Sequence, residues 1–175
     1  MKYANLDYSP SLRLANIERP SGFDSFVGHV WYANNEILVV SEMDDGFELD
    51  GFAVMKRKYI KSIDLDFGRG EFCSKIMKNK IPKLLMNSCA HIASKDFPNC
   101  LGVFSAQGWL TMFYPERSNP ELAWVGKVKK VNSKNVIIDA LSSWAVWDGE
   151  QKILLSMITK VAVQTRYLRA LKRIL

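Results

Sequence analysis

Two sets of residues in this 175-residue chain have side chains that could carry chemistry, and the smaller set contains the histidines and cysteines. The histidines are His29 and His91, and the cysteines are Cys73, Cys89 and Cys100. Metal sites and nucleophilic catalysis use such side chains at short, regular spacings, such as CxxC or HExxH. No such spacing occurs here, and Cys89 and His91 would lie roughly 200° apart around a predicted helix. We therefore expect no enzymatic activity, no metal and no cofactor.

The local pattern around His29 gives that side chain a structural interpretation. Residues 26–32 are predicted to form a β-strand in which Phe26, Gly28, Val30 and Tyr32 share one face, the pattern of a sheet with one side buried. Gly28 and Val30 would lie on its buried face, so we expect His29 to face solvent. The cysteines are odd in number and have apolar neighbours, which favours small buried thiols over a disulfide framework.

The larger set consists of basic residues with aromatic residues nearby, in a chain of net charge +6. A basic groove with rings on which bases can stack suits single-stranded nucleic acid. The candidate binding residues are Lys56, Arg57, Lys58, Lys61, Lys127, Lys129 and Lys130. Further basic residues occur over 75–83 and along the last predicted helix. In the alternative interpretation these charges only face solvent, and the tryptophans and tyrosines pack in the core.

An internal repeat indicates which elements position these residues. Residues 11–64 align with residues 109–162 at a constant shift of 98 positions, without a gap and with ten identities. Val27-Gly28-His29-Val30 aligns with Val125-Gly126-Lys127-Val128, and Asp50-Gly51 aligns with Asp148-Gly149. The matches are turn residues and alternating apolar residues, so the repeat predicts a duplicated fold.

Each repeat is predicted to form five short strands separated by turns. The strands are placed at 11–18, 26–32, 37–41, 52–57 and 59–63, and at 109–114, 124–131, 135–141, 150–155 and 157–161. Gly28 and Gly126 would permit a bend or the close approach of a neighbouring backbone. Gly51 and Gly149 would supply the positive φ of hairpin turns that end the preceding strand.

Short helices are predicted outside the repeated strands, at 71–78, 82–94 and 165–174. The first domain would comprise residues 1–79, a barrel with its following helix. The second would comprise residues 80–175, with a connector helix, a second barrel and a C-terminal helix.

The glycine in the second strand, the polar hairpin and the apolar third strand resemble the Sm-like and SH3-like small-barrel superfamily. These features are Val27-Gly28-His29-Val30 with Asn34-Asn35, and Val125-Gly126-Lys127-Val128 with Asn132-Ser133. The arrangement is also similar to uncharacterised bacterial proteins with a duplicated barrel. The resemblance implies a mainly β chain with short helices, built from two tandem five-stranded barrels. Sm-like proteins bind single-stranded RNA through an Asp-x-x-Met-Asn-type loop and an Arg-Gly loop, and this chain has neither motif.

The function expected from these observations is non-enzymatic binding or scaffolding, with a protein partner or self-association. Single-stranded RNA or DNA binding is the alternative. The N-terminal residues contain no apolar signal segment, and no apolar run reaches the roughly 20 residues that span a bilayer. We therefore expect a cytoplasmic protein that does not act at a membrane.

Overall fold

Ten β-strands and two α-helices make up most of the chain that the structure, a computed structural model, describes: residues 13–21, 23–44, 46, 48–65, 92, 96–119 and 121–175. The predicted mainly β class is confirmed. The chain divides into two compact units, Met1–Lys95 and Asp96–Leu175. The predicted helix at 71–78, the predicted helix at 82–94 apart from Ile92, the predicted boundary after residue 79, and Cys73, Cys89 and His91 lie outside the described residues.

The first unit contains an antiparallel sheet with strand order β5-β1-β2-β3-β4. Its strands are β1 (Arg13–Glu18), β2 (Phe26–Ala33), β3 (Ile37–Met43), β4 (Leu49–Lys56) and β5 (Ser62–Asp64). A 3₁₀ helix, Arg57–Tyr59, connects β4 to β5. Ile17, Leu38 and Met55 are fully buried in the core of this unit, on the face where apolar residues alternate.

The second unit repeats this arrangement with strand order β10-β6-β7-β8-β9. Its strands are β6 (Leu110–Tyr114), β7 (Trp124–Val131), β8 (Asn135–Leu141), β9 (Trp147–Leu154) and β10 (Lys160–Val163). Helix α1 (Phe97–Ala106) precedes them and helix α2 (Arg166–Ile174) follows them. The Leu168 and Leu171 side chains of α2 are buried against Leu110 and Leu141 of the sheet.

Side-chain caps fix where both helices begin. The Asp96 carboxylate accepts a hydrogen bond from the Asn99 N–H at 2.7 Å at the start of α1. The Thr165 hydroxyl oxygen accepts one from the Leu168 N–H at 3.2 Å at the start of α2. Each cap satisfies a backbone donor that the helix itself leaves without a partner.

The two predicted five-stranded barrels are not seen as closed barrels. Among the described residues, no strand pair joins β4 to β5 or β9 to β10, so the sheet of each unit remains open. A barrel is closed only when its outer strands pair with each other. The number and order of the strands agree with the expected duplication. The strand pairs that would close each barrel are not observed among the described residues.

A repeated asparagine forms the turn after the second strand in both units. Asn34 Oδ1 accepts hydrogen bonds from the N–H groups of Glu36 and Ile37, each at 2.8 Å. Asn132 Oδ1 accepts from the two equivalent N–H groups at 2.9 and 2.8 Å. An asparagine side chain of this kind supplies the local hydrogen bonds of a tight turn. The hairpins predicted at these two positions are confirmed.

The first strand of each unit departs from the constant shift of 98. Ala15 pairs with Gly28, and Thr111 pairs with Gly126, so Ala15 and Thr111 are equivalent although they lie 96 positions apart. The cause is the connection to the next strand, which covers residues 115–123 in the second unit and only 19–25 in the first. The gapless alignment is therefore wrong before β2. The identities there at Glu18 and Arg19 do not mark equivalent positions.

Gly28 and Gly126 are places where a neighbouring strand approaches closely, as predicted. A Cβ atom on Gly28 would lie 2.7 Å from Val40 Cγ2 and 2.8 Å from the Ser41 carbonyl oxygen. A Cβ atom on Gly126 would overlap the carbonyl oxygen of Asp139. Both distances are shorter than van der Waals contact, so the packing of the third strand on the second requires glycine here.

Gly51 and Gly149 have positive φ values of 61° and 86°, as predicted, but the predicted hairpin turns are wrong. Both glycines lie inside strands, and the register shifts beside them in the β3–β4 and β8–β9 pairs. A glycine in the left-handed region permits a β-bulge, through which a strand continues instead of ending. The fourth strands therefore begin at Leu49 and Trp147, before the Asp-Gly pairs.

Candidate functional site

His29 is buried, which corrects the expectation that it faces solvent. Its side chain is 2% exposed, and its ring centroid lies 4.5 Å from that of Trp31. Leu14 pairs with His29 across β1 and β2 and belongs to a second apolar cluster, which lies on this face of the sheet. Burial lowers the pKa of His29 to about 4. Neither ring nitrogen has a hydrogen-bond partner among the described residues, so the side chain is a neutral part of the core.

The basic residues predicted in the first unit have separate surroundings. Lys56 is half-buried at the end of β4, where burial and then the charge of Lys58 lower its pKa to about 8. The Lys58 ammonium lies 5.1 Å from the centre of the Tyr59 ring. Lys61 Nζ donates a hydrogen bond to Glu18 Oε1 at 2.6 Å. These three lysines therefore offer less positive charge to a ligand than the sequence alone indicates.

The Arg57 side chain turns back toward the backbone that follows it in the chain. Its guanidinium donates to the carbonyl oxygen of Ile60 at 3.4 Å, across the 3₁₀ helix. Glu18, which binds Lys61, also accepts a hydrogen bond from the Ser62 hydroxyl at 2.8 Å. These two hydrogen bonds, first that of Lys61 and then that of Ser62, lower the pKa of Glu18.

The basic residues predicted in the second unit lie along β7, beside acidic residues of neighbouring strands. Lys127 pairs with Asp139, and its ammonium lies 5.2 Å from the centre of the Trp147 ring. Lys129 Nζ donates to Glu150 Oε1 at 2.9 Å, which raises the pKa of Lys129. Lys130 is exposed. The structure thus brings lysines together with carboxylates, rather than lysines with one another.

A repeated β-bulge places one residue of the second strand outside the regular ladder in each unit. The register shifts between Val30 and Tyr32 in β2, and between Val128 and Lys130 in β7. The extra residue is Trp31 in the first unit and Lys129 in the second. The Trp31 indole donates to Ser41 Oγ at 2.8 Å, whereas Lys129 is bound to Glu150.

The hairpin that joins β8 to β9 carries exposed apolar side chains, and others lie on α2 and at the far end of β9. Trp144 is 87% exposed, Val146 is 59% exposed, and Leu154 at the end of β9 is 49% exposed. Sequence reasoning grouped Trp144 and Trp147 with aromatic residues near basic clusters and missed Val146 and Leu154. The available signal was the Ser142-Ser143 turn directly before Trp144, which places this tryptophan at a hairpin tip.

Ser142 holds the hairpin tip in one conformation. Its N–H donates to the Val146 carbonyl at 2.9 Å, and its carbonyl accepts from the Ala145 N–H at 3.0 Å. Its hydroxyl oxygen accepts from the N–H groups of Trp144 at 3.3 Å and Val146 at 3.1 Å. The backbone therefore presents the Trp144 side chain to solvent without packing contacts that cover it.

Ala145 in this tip has a φ of 57°, in the left-handed region. A residue with a Cβ is strained there, and glycine is not. We expect Ala145→Gly to raise the free energy of unfolding by about 0.5–1 kcal/mol, measured by urea denaturation. Equal or lower stability of the variant would contradict this interpretation of the turn.

The outer edge of β9 has no partner strand in the part of the chain that the structure describes, because β9 ends the sheet order. Seven of its eight residues are exposed or partly exposed, and only Ile153 is buried. An open groove of about 340 Å³ lies beside the β-bulge at Gly149 in β9, and it is lined in part by Trp124 and Leu141. An edge of this kind offers backbone donors and acceptors to another strand.

Comparison of the chain with family models, curated proteins and solved structures gives no match. Among the described residues, no three or more histidine, cysteine, aspartate or glutamate side chains are grouped so that they could hold a metal ion. The described helices include none long and apolar enough to cross a membrane. The features that bear on function are therefore the exposed β8–β9 hairpin and the outer edge of β9.

Proposed function

We infer that this chain is a non-enzymatic protein-interaction module, and that its interaction surface is the β8–β9 hairpin with the outer edge of β9. The observation that carries this inference is an unpaired sheet edge next to the exposed Trp144 and Val146. Strand addition at an edge supplies backbone hydrogen bonds, and neighbouring side chains supply specificity. Exposed tryptophan is typical of protein interfaces and less so of free surface.

The architecture of the module is proposed to be two small barrels of the Sm-like or SH3-like kind. Three observations support this: the same strand order in both units, the same asparagine turn, and the close strand approach at Gly28 and Gly126. Close approach at a mid-strand glycine lets a sheet curve strongly, as a small barrel requires.

Site-specific photo-crosslinking tests the proposed surface. A photoreactive amino acid in place of Trp144 is expected to form adducts with protein in cells that produce the chain. The same amino acid in place of Arg117, an exposed residue elsewhere in this unit, is the matched control. Equal adducts at both positions, or adducts at Trp144 that a nuclease removes, would overturn the proposal.

Nucleic-acid binding is the second candidate, and α2 is the observation that favours it. Its exposed positions include Arg166, Arg169, Lys172 and Arg173, and no acidic residue occurs from Thr165 to the last residue. Arginine side chains on one helix face can bind the phosphates of a single strand. The lysines of β7, by contrast, lie beside acidic residues of neighbouring strands.

Salt dependence tests that candidate. If α2 binds phosphate, Lys172→Gln with Arg173→Gln should make the slope of log K against log salt less steep by about 2 for a fluorescent single-stranded oligonucleotide, about 1 for each lost contact. Lys129→Gln, which removes a lysine already bound to Glu150, should leave the slope unchanged. Absence of binding at about 50 mM salt would exclude the candidate.

A further inference from the structure

The side chains of β9 follow an order that complements itself when the strand is reversed. Pairing with β8 places Glu150 opposite Asp139 and Lys152 opposite Ile137, so both charges lie on the same face of the sheet. Trp147 pairs with Leu141 and Leu154 pairs with Asn135, which puts an apolar residue toward each end of this face. The order along the face is apolar, acidic, basic, apolar.

This order becomes complementary when two β9 strands are related by a two-fold axis through Gln151. Antiparallel pairing of two β9 strands about that axis places Glu150 of each molecule opposite Lys152 of the other. Two opposite-charge pairs then form at the centre, and such cross-strand pairs are stabilising. The bulge at Gly149 adds one residue at that end of the strand, which brings Trp147 toward Leu154 of the second molecule.

We propose that the outer edge of β9 binds β9 of a second molecule of this chain, forming a symmetric dimer. The proposal rests on the function inferred above and names the partner for that surface. Charge complementarity selects this partner, because a strand without an acidic residue at this position would leave the exposed Lys152 with no opposite charge across the new strand pair. A two-fold contact also uses one surface on both molecules and therefore closes at two subunits.

Charge reversal tests the register directly by sedimentation equilibrium over a range of protein concentrations. Glu150→Lys and Lys152→Glu each replace two attractive pairs by two repulsive ones, and each should weaken dimerisation roughly tenfold or more. The double variant Glu150→Lys with Lys152→Glu restores two attractive pairs and should recover the wild-type dissociation constant to within about threefold. A double variant as weak as the single variants would overturn the proposed register.

Lys129→Gln is the matched control, because Glu150→Lys also removes the contact between Glu150 and Lys129 within one molecule. This control should leave the dissociation constant within about twofold of wild type, since surface ion pairs contribute little. A loss equal to that of Glu150→Lys would mean that the contact inside one molecule is responsible, and would overturn the proposal.

Hydrogen exchange of the wild-type protein gives a test that needs no variant. The amides on the outer edge of β9 should exchange more slowly as protein concentration rises through the dimerisation range. A monomer at every concentration, or assemblies that grow beyond two molecules, would overturn the dimer. If the chain remains a monomer while the photoreactive residue at position 144 still crosslinks to other proteins, the dimer proposal fails and the proposed interaction surface stands. If neither is observed, both fail.

Discussion

Gly126→Ala is expected to lower the free energy of unfolding of the second unit by about 2–3 kcal/mol. The added Cβ would overlap the Asp139 carbonyl oxygen, and it would lie 3.1 Å from the carbonyl carbon of Asp139 and 3.0 Å from Ile138 Cδ1. A side chain could rotate away from such an overlap, but the Asp139 carbonyl is part of the β8 backbone. Relief therefore requires β7 and β8 to separate where they are paired.

The measurement is urea denaturation followed by far-ultraviolet circular dichroism, and Gly102→Ala is the matched control. Gly102 lies in α1, and a Cβ there would meet nothing within 4 Å. Because alanine has the higher helix propensity, this control should gain about 0.5–1 kcal/mol. If Gly126→Ala were as stable as Gly102→Ala, close strand approach would not be the reason for glycine at this position.

Acidification is expected to remove about 2 kcal/mol of stability by pH 5 and about 3 kcal/mol by pH 4 through His29. The folded chain holds the pKa of His29 at about 4, below its ordinary value of 6.5, because burial disfavours the charged ring. The neutral ring is therefore favoured in the folded state. This contribution is fully present above pH 6.5 and is lost as the pH falls from 6.5 toward 4.

His29→Phe isolates this contribution, because phenylalanine keeps an aromatic ring but cannot take up a proton. The difference in unfolding free energy between wild type and His29→Phe should change by about 2 kcal/mol between pH 7.5 and pH 5. Contributions that are common to both proteins cancel in that difference. A difference that is constant with pH would mean that His29 is accessible to protons in the folded chain.

The local elements could be predicted from the sequence because single residues specify them. Asn34 and Asn132 form turns with their own side chains, and Gly28 and Gly126 mark close backbone approach. The gapless repeat was misleading before β2, since a two-residue difference in a surface connection leaves the apolar alternation unchanged. A shift by an even number of residues keeps every side chain on the same face of a strand.

The candidate site could be predicted only in part, because it depends on which strands are covered. His29 lies on the face that alternation assigns to solvent, but that face carries the apolar cluster around Leu14. Trp144 belongs to a residue type that is usually buried, and its exposure follows from its place at a hairpin tip. The free edge of β9 follows from strand order, which hydrophobic periodicity does not contain.

The bulge that follows Val30 in β2 and Val128 in β7 has a consequence for how a duplicated chain can change. Trp31 and Lys129 occupy the same extra position, outside the regular ladder, and one is bound to a serine while the other is bound to a glutamate. The residue at this position takes no part in the regular pairing of the ladder, so its type can differ between the two units. After a duplication, such a position lets one unit acquire a new surface chemistry while both keep the same backbone.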